Sequence, residues 1–492
     1  MAVRAALGAG RFRLLRQVLT ESVALSCCGA ALGLLLAVAG TRALAHLHAF
    51  NLPLLESVRV DGSTLAFTLL AAVASGVLFG LAPALQVPAY RLREGLQDAG
   101  RESSSRHGWF RDALVVSQFA LACVLLVGAA LLMQSFMRVL DVNLGFQPVH
   151  AAALRIDPGV RISSLAQQDS FIDDVLHRAR SIPGVTAAGI SDVLPLDGDR
   201  SWQVSAKGQV YDKDNHPEAF IRVVSDGYFE ALGIALKSGR EFTEADRAST
   251  EPVVMVNETM ARTLWPGQEA VGQLVTQDGG RRVVGVVADV HHGGPENLGG
   301  SEMYLPMRQT GDYAAMKLVV RTALPPDSLA ASIRSALRPL DPNLPVTEFQ
   351  TLQGLVDKVV SPRRFLVVLL SGFAGFALLL ASLGIYALIS YSVNQRTKEI
   401  GIRMALGASA SLVRRGVLTR TLLLALVGVA LGTLGSFAFS KWIESLLFGT
   451  TPTNPAVFSG VSLLLCVVAL VAAYVPARRA SRIEPLQALR TE

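Results

Sequence analysis

"NQRTKEIGIRMALGASASLV", residues 394–413, lies between two apolar runs, 365–391 and 421–442, whose one charged residue is Lys441. Crossing about 30 Å of hydrocarbon takes roughly 20 apolar residues in a helix, so each run is long enough to span a membrane. The quoted link carries Arg396, Lys398, Glu399 and Arg403 and is too polar to enter the hydrocarbon. Working outward, four more such runs occur, at 22–44 (with Arg42 near its end), 64–87, 113–134 and 457–476. Six spans are therefore expected. A chain with 51% hydrophobic and 17% charged residues is also too apolar for an ordinary soluble multidomain protein.

Residues 138–364 have ordinary soluble composition and no long apolar run, which predicts one inserted domain outside the membrane. With the N-terminus inside, the segments 1–21, 88–112, 392–420 and 477–492 carry 4, 5, 6 and 4 Lys or Arg, whereas the short outer loops carry little beyond Arg59. The positive-inside bias thus places both termini in the cytoplasm and 138–364 outside it. The formal charge of +6 is read as this membrane-flanking excess, with no nucleic-acid partner expected. Cys27, Cys28, Cys123 and Cys466 all fall within apolar runs, so the outer domain has no disulfide.

The quoted phrase occurs twice. At a constant offset of 399, residues 2–33 match 401–432 at 14 of 32 positions, including Arg4/Arg403, Leu7/Leu406 and Gly8/Gly407. "PALQVPAYRLREGLQ" (83–97) and "PARRASRIEPLQALR" (476–490) continue the correspondence, so an internal duplication is the simplest account. Ile402, Leu406, Val413 and Val417 lie near one another on a helical wheel, with arginines elsewhere and Gly407 interrupting. This pattern suits a kinked amphipathic element, either anchored among membrane lipids or docked on a partner protein. "GAALG" and "GVALG" place Gly29/Gly33 and Gly428/Gly432 at the spacing that lets helix backbones approach closely. Gln118, polar within a span, is expected to bond to a neighbouring helix.

The outer domain reads as α+β in two lobes. Strands are expected at 149–157, 184–192, 281–290 and 316–322, and helices at 163–182, 259–265 and 325–340. A further helix from about 352 to 360 should feed the fourth span. His291 and His292 with Asp289 in "DVHHGGPENLGG" lack a third or fourth ligand at convincing spacing, so a polar loop is expected there and no metal. No serine-hydrolase elbow, zinc-protease motif or phosphate-binding loop occurs, so no enzyme activity and no nucleotide cofactor are expected in this chain.

"NQRTKEIGIRMALGASASLV" before a span, "LLFGTTPTNP" in an outer loop and "VPARRASRIEPLQALR" at the end together resemble the MacB/FtsX-type ABC transporter permeases. "YFEALGIALKSGREFTEADRA", "PVVMVNETMARTLWPGQEAVGQ" and "VVGVVADVHH" are similar to that family's periplasmic core domain. The double copy looks like the branch with two fused permease units, the first truncated here. The resemblance implies a first coupling segment at 1–21, a two-span remnant at 22–112, an opening span of the second unit at 113–137, the core domain at 138–364 and a three-span permease domain at 365–492 with its coupling segment at 393–420. It implies a permease subunit in the cell membrane, engaged in efflux or envelope export, with ATP bound by a separate ABC ATPase and the outer domain moved mechanically. Glu399, Arg403, Leu406 and Gly407, with Arg4, Leu7 and Gly8 by duplication, take the ATPase-coupling role. A periplasmic adaptor or a second permease would be further partners. A mechanotransmitter acting on a periplasmic partner, or an inactive truncated permease, are the alternatives.

Overall fold

The computed structural model describes residues 11–46, 61–85, 103–156, 164–198, 200–209, 211, 216–276, 279–296, 299–311, 316–340, 349–406 and 408–482. Helices α1 (Arg11–His46), α2 (Gly62–Leu85) and α3 (Ser103–Leu140) come first. Strand β1 (Ala151–Ile156), helix α4 (Leu165–Arg180) and strands β2 (Val185–Ser191), β3 (Ser201–Gln203) and β4 (Glu218–Val224) follow. Next are α5 (Tyr228–Leu232), β5 (Leu236–Gly239), β6 (Val253–Asn257), α6 (Glu258–Leu264), β7 (Leu274–Val275) and β8 (Arg281–Val287). The outer domain closes with β9 (Glu302–Pro306), β10 (Met316–Thr322), α7 (Pro326–Leu337) and β11 (Phe349–Thr351). The chain then runs through α8 (Leu352–Gln395), α9 (Thr397–Ala405), α10 (Ala410–Trp442) and α11 (Pro455–Ala480). It divides into two compact units, Gln134–Arg364 and the remaining helices.

In the first unit, described residues form an 11-stranded mixed sheet in the order β11-β1-β10-β2-β4-β9-β6-β8-β5, with β3 on β4 and β7 on β8. Alternation along the strands builds two cores, because successive side chains leave opposite faces. Ala152, Leu154 and Ile156 of β1 join one core with Ile172 and Leu176 of α4 and Ile333 and Leu337 of α7. Ala151 and Ala153 join the other with Tyr228, Phe229 and Leu232 of α5. The two expected lobes share this sheet. Four strands, β11 to β2, meet the remainder through one rung, Ser191 opposite Val224. The turn into α5 is tight: Gly189 lies under Tyr228, where an added Cβ would stand 2.5 Å from its backbone.

The other unit is helical. Among the described residues, five helices are long and apolar enough to cross a membrane: Leu19–Arg42, Arg111–Leu140, Leu352–Gln395, Ala410–Trp442 and Pro455–Ala480. This is one fewer than the six expected. The run 64–87 falls in α2 (Gly62–Leu85), of which Gly62–Leu78 is the described apolar part, and residues 86 and 87 lie outside the described residues. The expected helix at 352–360 is continuous with the fourth span, and together they make α8.

Candidate functional site

The repeated phrase forms a short helix set off from its neighbours. After α8 the backbone departs from helical geometry at Arg396 (φ −100°, ψ 14°). The Thr397 hydroxyl donates to the Val393 and Asn394 carbonyls at 3.1 and 3.0 Å, and the Val393 carbonyl also accepts from the Arg396 N–H at 3.1 Å. α9 then runs nine residues, and Ser409, in extended conformation, starts α10. Ile400 and Met404 turn into the core of the helical unit, as do Val413 and Val417 of α10. Ile402 and Leu406 face out, Leu406 with 83% of its surface exposed. The wheel predicted from sequence therefore does not hold as one stripe. The helix stops before Ser409, so Val413 and Val417 start a second helix with its own phase. Glu399 and Arg403, one turn apart on α9, pair at 2.6 Å beside this exposed apolar surface. Gly407, Arg4, Leu7 and Gly8 lie outside the described residues.

The paired glycines fall into different surroundings. A Cβ at Gly428 would stand 2.6 Å from Phe119 Cβ, and one at Gly432 would stand 2.5 Å from Cys123 Cβ and 2.8 Å from the Ala120 carbonyl oxygen, so α10 crosses α3 in near backbone contact. Gln118 lies over Gly384 of α8. At Gly29 and Gly33 an added Cβ would meet no heavy atom of another described element within 4 Å. The close approach between α1 and α2 is made by Gly76 and Gly80, where an added Cβ would meet Val23 Cα at 2.9 Å and Leu19 at 3.0 Å. These two glycines have the same four-residue spacing, so the sequence carries the signal for this contact.

In the outer domain, the polar loop at 289–296 packs inward. His292 Nε2 stands 2.6 Å from Glu302 Oε1, to which Arg222 Nε donates at 3.0 Å, and Tyr304 donates to Oε2 at 2.6 Å. Arg222 and Glu302 are 0% and 1% exposed. Burial pushes the Glu302 carboxyl up, but His292, Arg222 and the Tyr304 hydroxyl outweigh it and hold it below the ordinary carboxylate range. Asp289 is taken up elsewhere, accepting from Thr259 at 2.8 Å and from Arg262 at 3.0 Å. His291, His292 and Asp289 therefore do not converge. Among the described residues no group of three or more metal-binding side chains does.

The sequence matches two family models. That for the FtsX-like permease C-terminal region covers residues 1–88 and 371–485, which include both copies of the repeated phrase. That for the MacB-like periplasmic core domain covers 119–340. The chain belongs to the MacB/FtsX-type ABC transporter permeases. This MacB/FtsX-type chain is 30% identical over 292 residues to a probable export ATP-binding/permease protein, Pfl01_2215, of Pseudomonas fluorescens (strain Pf0-1), across 55% of this chain and 43% of that one. It is 26% identical over 330 residues to the macrolide export ATP-binding/permease protein MacB of Acinetobacter baylyi, across 62% and 49%. It is 24% identical over 305 residues to the uncharacterized ABC transporter permease YknZ of Bacillus subtilis (strain 168), across 59% and 74%. The chain thus spans about half the length of the export proteins it matches. Among solved structures, the periplasmic region of MacB from Actinobacillus actinomycetemcomitans aligns over 44% of this chain and 94% of its own, with 16% identity and a TM-score of 0.30.

The permease is a multi-pass membrane protein with an inserted α+β domain. Sequence reasoning missed its buried Arg222–Glu302–His292–Tyr304 cluster. Arg222 and Glu302 are 80 residues apart and meet because β4 and β9 run parallel, with Phe220 opposite Glu302 and Arg222 opposite Tyr304. Nothing local in the sequence signals that pairing.

Proposed function

We propose that this chain is the transmembrane subunit of an export or efflux transporter, with ATP hydrolysed by a separate ABC ATPase and the work delivered to the outer domain. The observation that carries this reading is α9: a nine-residue helix between two spans, one face in the membrane unit's core, the other presenting Leu406 beside the Glu399–Arg403 pair. An exposed leucine bordered by charge suits a protein interface. Two permease-model matches and the names of the export relatives support the same reading. The lysine and arginine bias of the flanking segments supports a cytoplasmic position for α9 and both termini, the side on which the ATPase would dock.

The test is association with the ATPase. Burying a leucine contributes about 2 kcal/mol, so Leu406→Asp should weaken ATPase co-purification by at least roughly 30-fold, and Glu399→Lys should weaken it too. The size-exclusion profile of the membrane protein should be unaltered. Unchanged association in both variants would remove α9 from the interface.

A further inference from the structure

We propose that the cleft bounded by the end of α8, α9 and the first turns of α10 binds the headgroup of an anionic phospholipid. The cleft encloses about 670 Å³, within the range of sites that hold small ligands. Its walls are of two kinds. Ile389, Val393 and Leu423 form an apolar wall within the spans, while Arg396, Arg403, Arg415 and Arg420 face the same space against one acid, Glu399.

The charge is only partly compensated inside the protein. Arg403 is paired with Glu399 at 2.6 Å, and Arg420 reaches Asp112 at 3.1 Å. Among the described residues, no acidic side chain pairs with Arg396 or Arg415. Two guanidiniums thus remain for an anion, and the guanidinium fork matches phosphate oxygens in a bidentate manner.

The pairing of arginines with an apolar wall between spans favours a lipid over a protein. Tyr391, half-exposed with the Arg111 guanidinium 4.0 Å above its ring, lies in the last turns of α8 beside the cleft-lining Ser392 and Val393. Aromatic and basic residues of this kind sit at the headgroup level. From there the cleft continues to Ile389 and Leu423, whose apolar side chains suit the first carbons of an acyl chain. A basic recess between spans that opens on the headgroup layer is the arrangement that holds acidic lipids. The assignment does not depend on α9 contacting an ATPase.

The full-length protein would be reconstituted in phosphatidylcholine vesicles containing one-fifth phosphatidylglycerol, re-extracted in mild detergent, and its retained lipid counted by native mass spectrometry. The wild type should keep phosphatidylglycerol in preference to phosphatidylcholine. Arg396→Gln with Arg415→Gln should lower that retention by about fivefold per arginine. Gly416 lines the cleft, and a Cβ there meets no heavy atom within 4 Å, so Gly416→Trp fills the space without removing charge and should also expel the lipid. Equal retention of the two lipids by the wild type, or unchanged phosphatidylglycerol on Gly416→Trp or on the double arginine variant, would overturn the proposal. So would variants that lose ATPase association while keeping the lipid, which would assign the cleft to the protein partner.

Discussion

Replacing Gly432 by alanine tests the crossing of α3 and α10 directly. The added methyl would stand 2.5 Å from Cys123 Cβ, 2.8 Å from the Ala120 carbonyl oxygen and 3.0 Å from Ala120 Cα. Carbon contacts settle near 3.5–4.0 Å, so the helices must part by about 1 Å at this point. Overpacking of this kind costs about 1–3 kcal/mol. The neighbouring Cys123 is 1% exposed and serves as the reporter. With Cys27, Cys28 and Cys466 replaced by serine, a fluorogenic maleimide reaches only Cys123, and only when the helices separate. At 1.4 kcal/mol per factor of ten, the strain predicts labelling about 5- to 150-fold faster in Gly432→Ala than in the parent. Gly33→Ala is the matched control, since it makes the equivalent change in the first copy, where an added Cβ would meet no heavy atom of another described element within 4 Å. It should leave the Cys123 rate unchanged. Labelling of Gly432→Ala at the parental rate would refute the close crossing.

Glu302→Ala should destabilise the outer domain by about 3–5 kcal/mol, because the buried Arg222 would lose the carboxylate to which it donates at 3.0 Å. Pulse proteolysis of the full chain across a urea series would measure this. Glu302→Gln, which keeps a hydrogen-bond acceptor, should cost less. Acidification should act through the same group. A carboxyl held below its ordinary value of 4.5 contributes stability that is fully present above that value and is lost as pH falls through the folded-state value. The urea midpoint of the wild type should therefore fall below about pH 4.5 more than that of Glu302→Gln. Equal slopes would argue that other carboxylates dominate.

Long periodic segments were legible in the sequence, while features that depend on distant pairing were not. The runs at 113–134, 365–391, 421–442 and 457–476 declare themselves by length, and each lies inside a helix of the structure. Strand β10 was read from its alternation with the bounds it adopts, 316–322. Strands β7 and β11, of two and three residues, carry no period and exist because β8 and β1 offer them partners. At α9 an interruption was legible, but the single stripe drawn across it was not kept, because one helix ends at Ala405 and the next starts at Ala410 with its own phase. The glycine motif at Gly29 and Gly33 marks a face suited to close approach, but it does not name the helix that uses it. Against α1 that approach comes from Gly76 and Gly80.

The outer domain begins at β1 and ends at β11, and these strands are antiparallel neighbours, Ala152 opposite Thr351 and Leu154 opposite Phe349. Its entrance and exit therefore lie side by side. A load that drives the two connections apart pulls on this three-rung ladder and on the core that Leu352 and Leu355 of α8 share with Phe146, Ala151 and Ala153. A load that carries both together leaves every rung of this ladder in place. The insertion is thus wired for motion in common and poorly suited to being stretched.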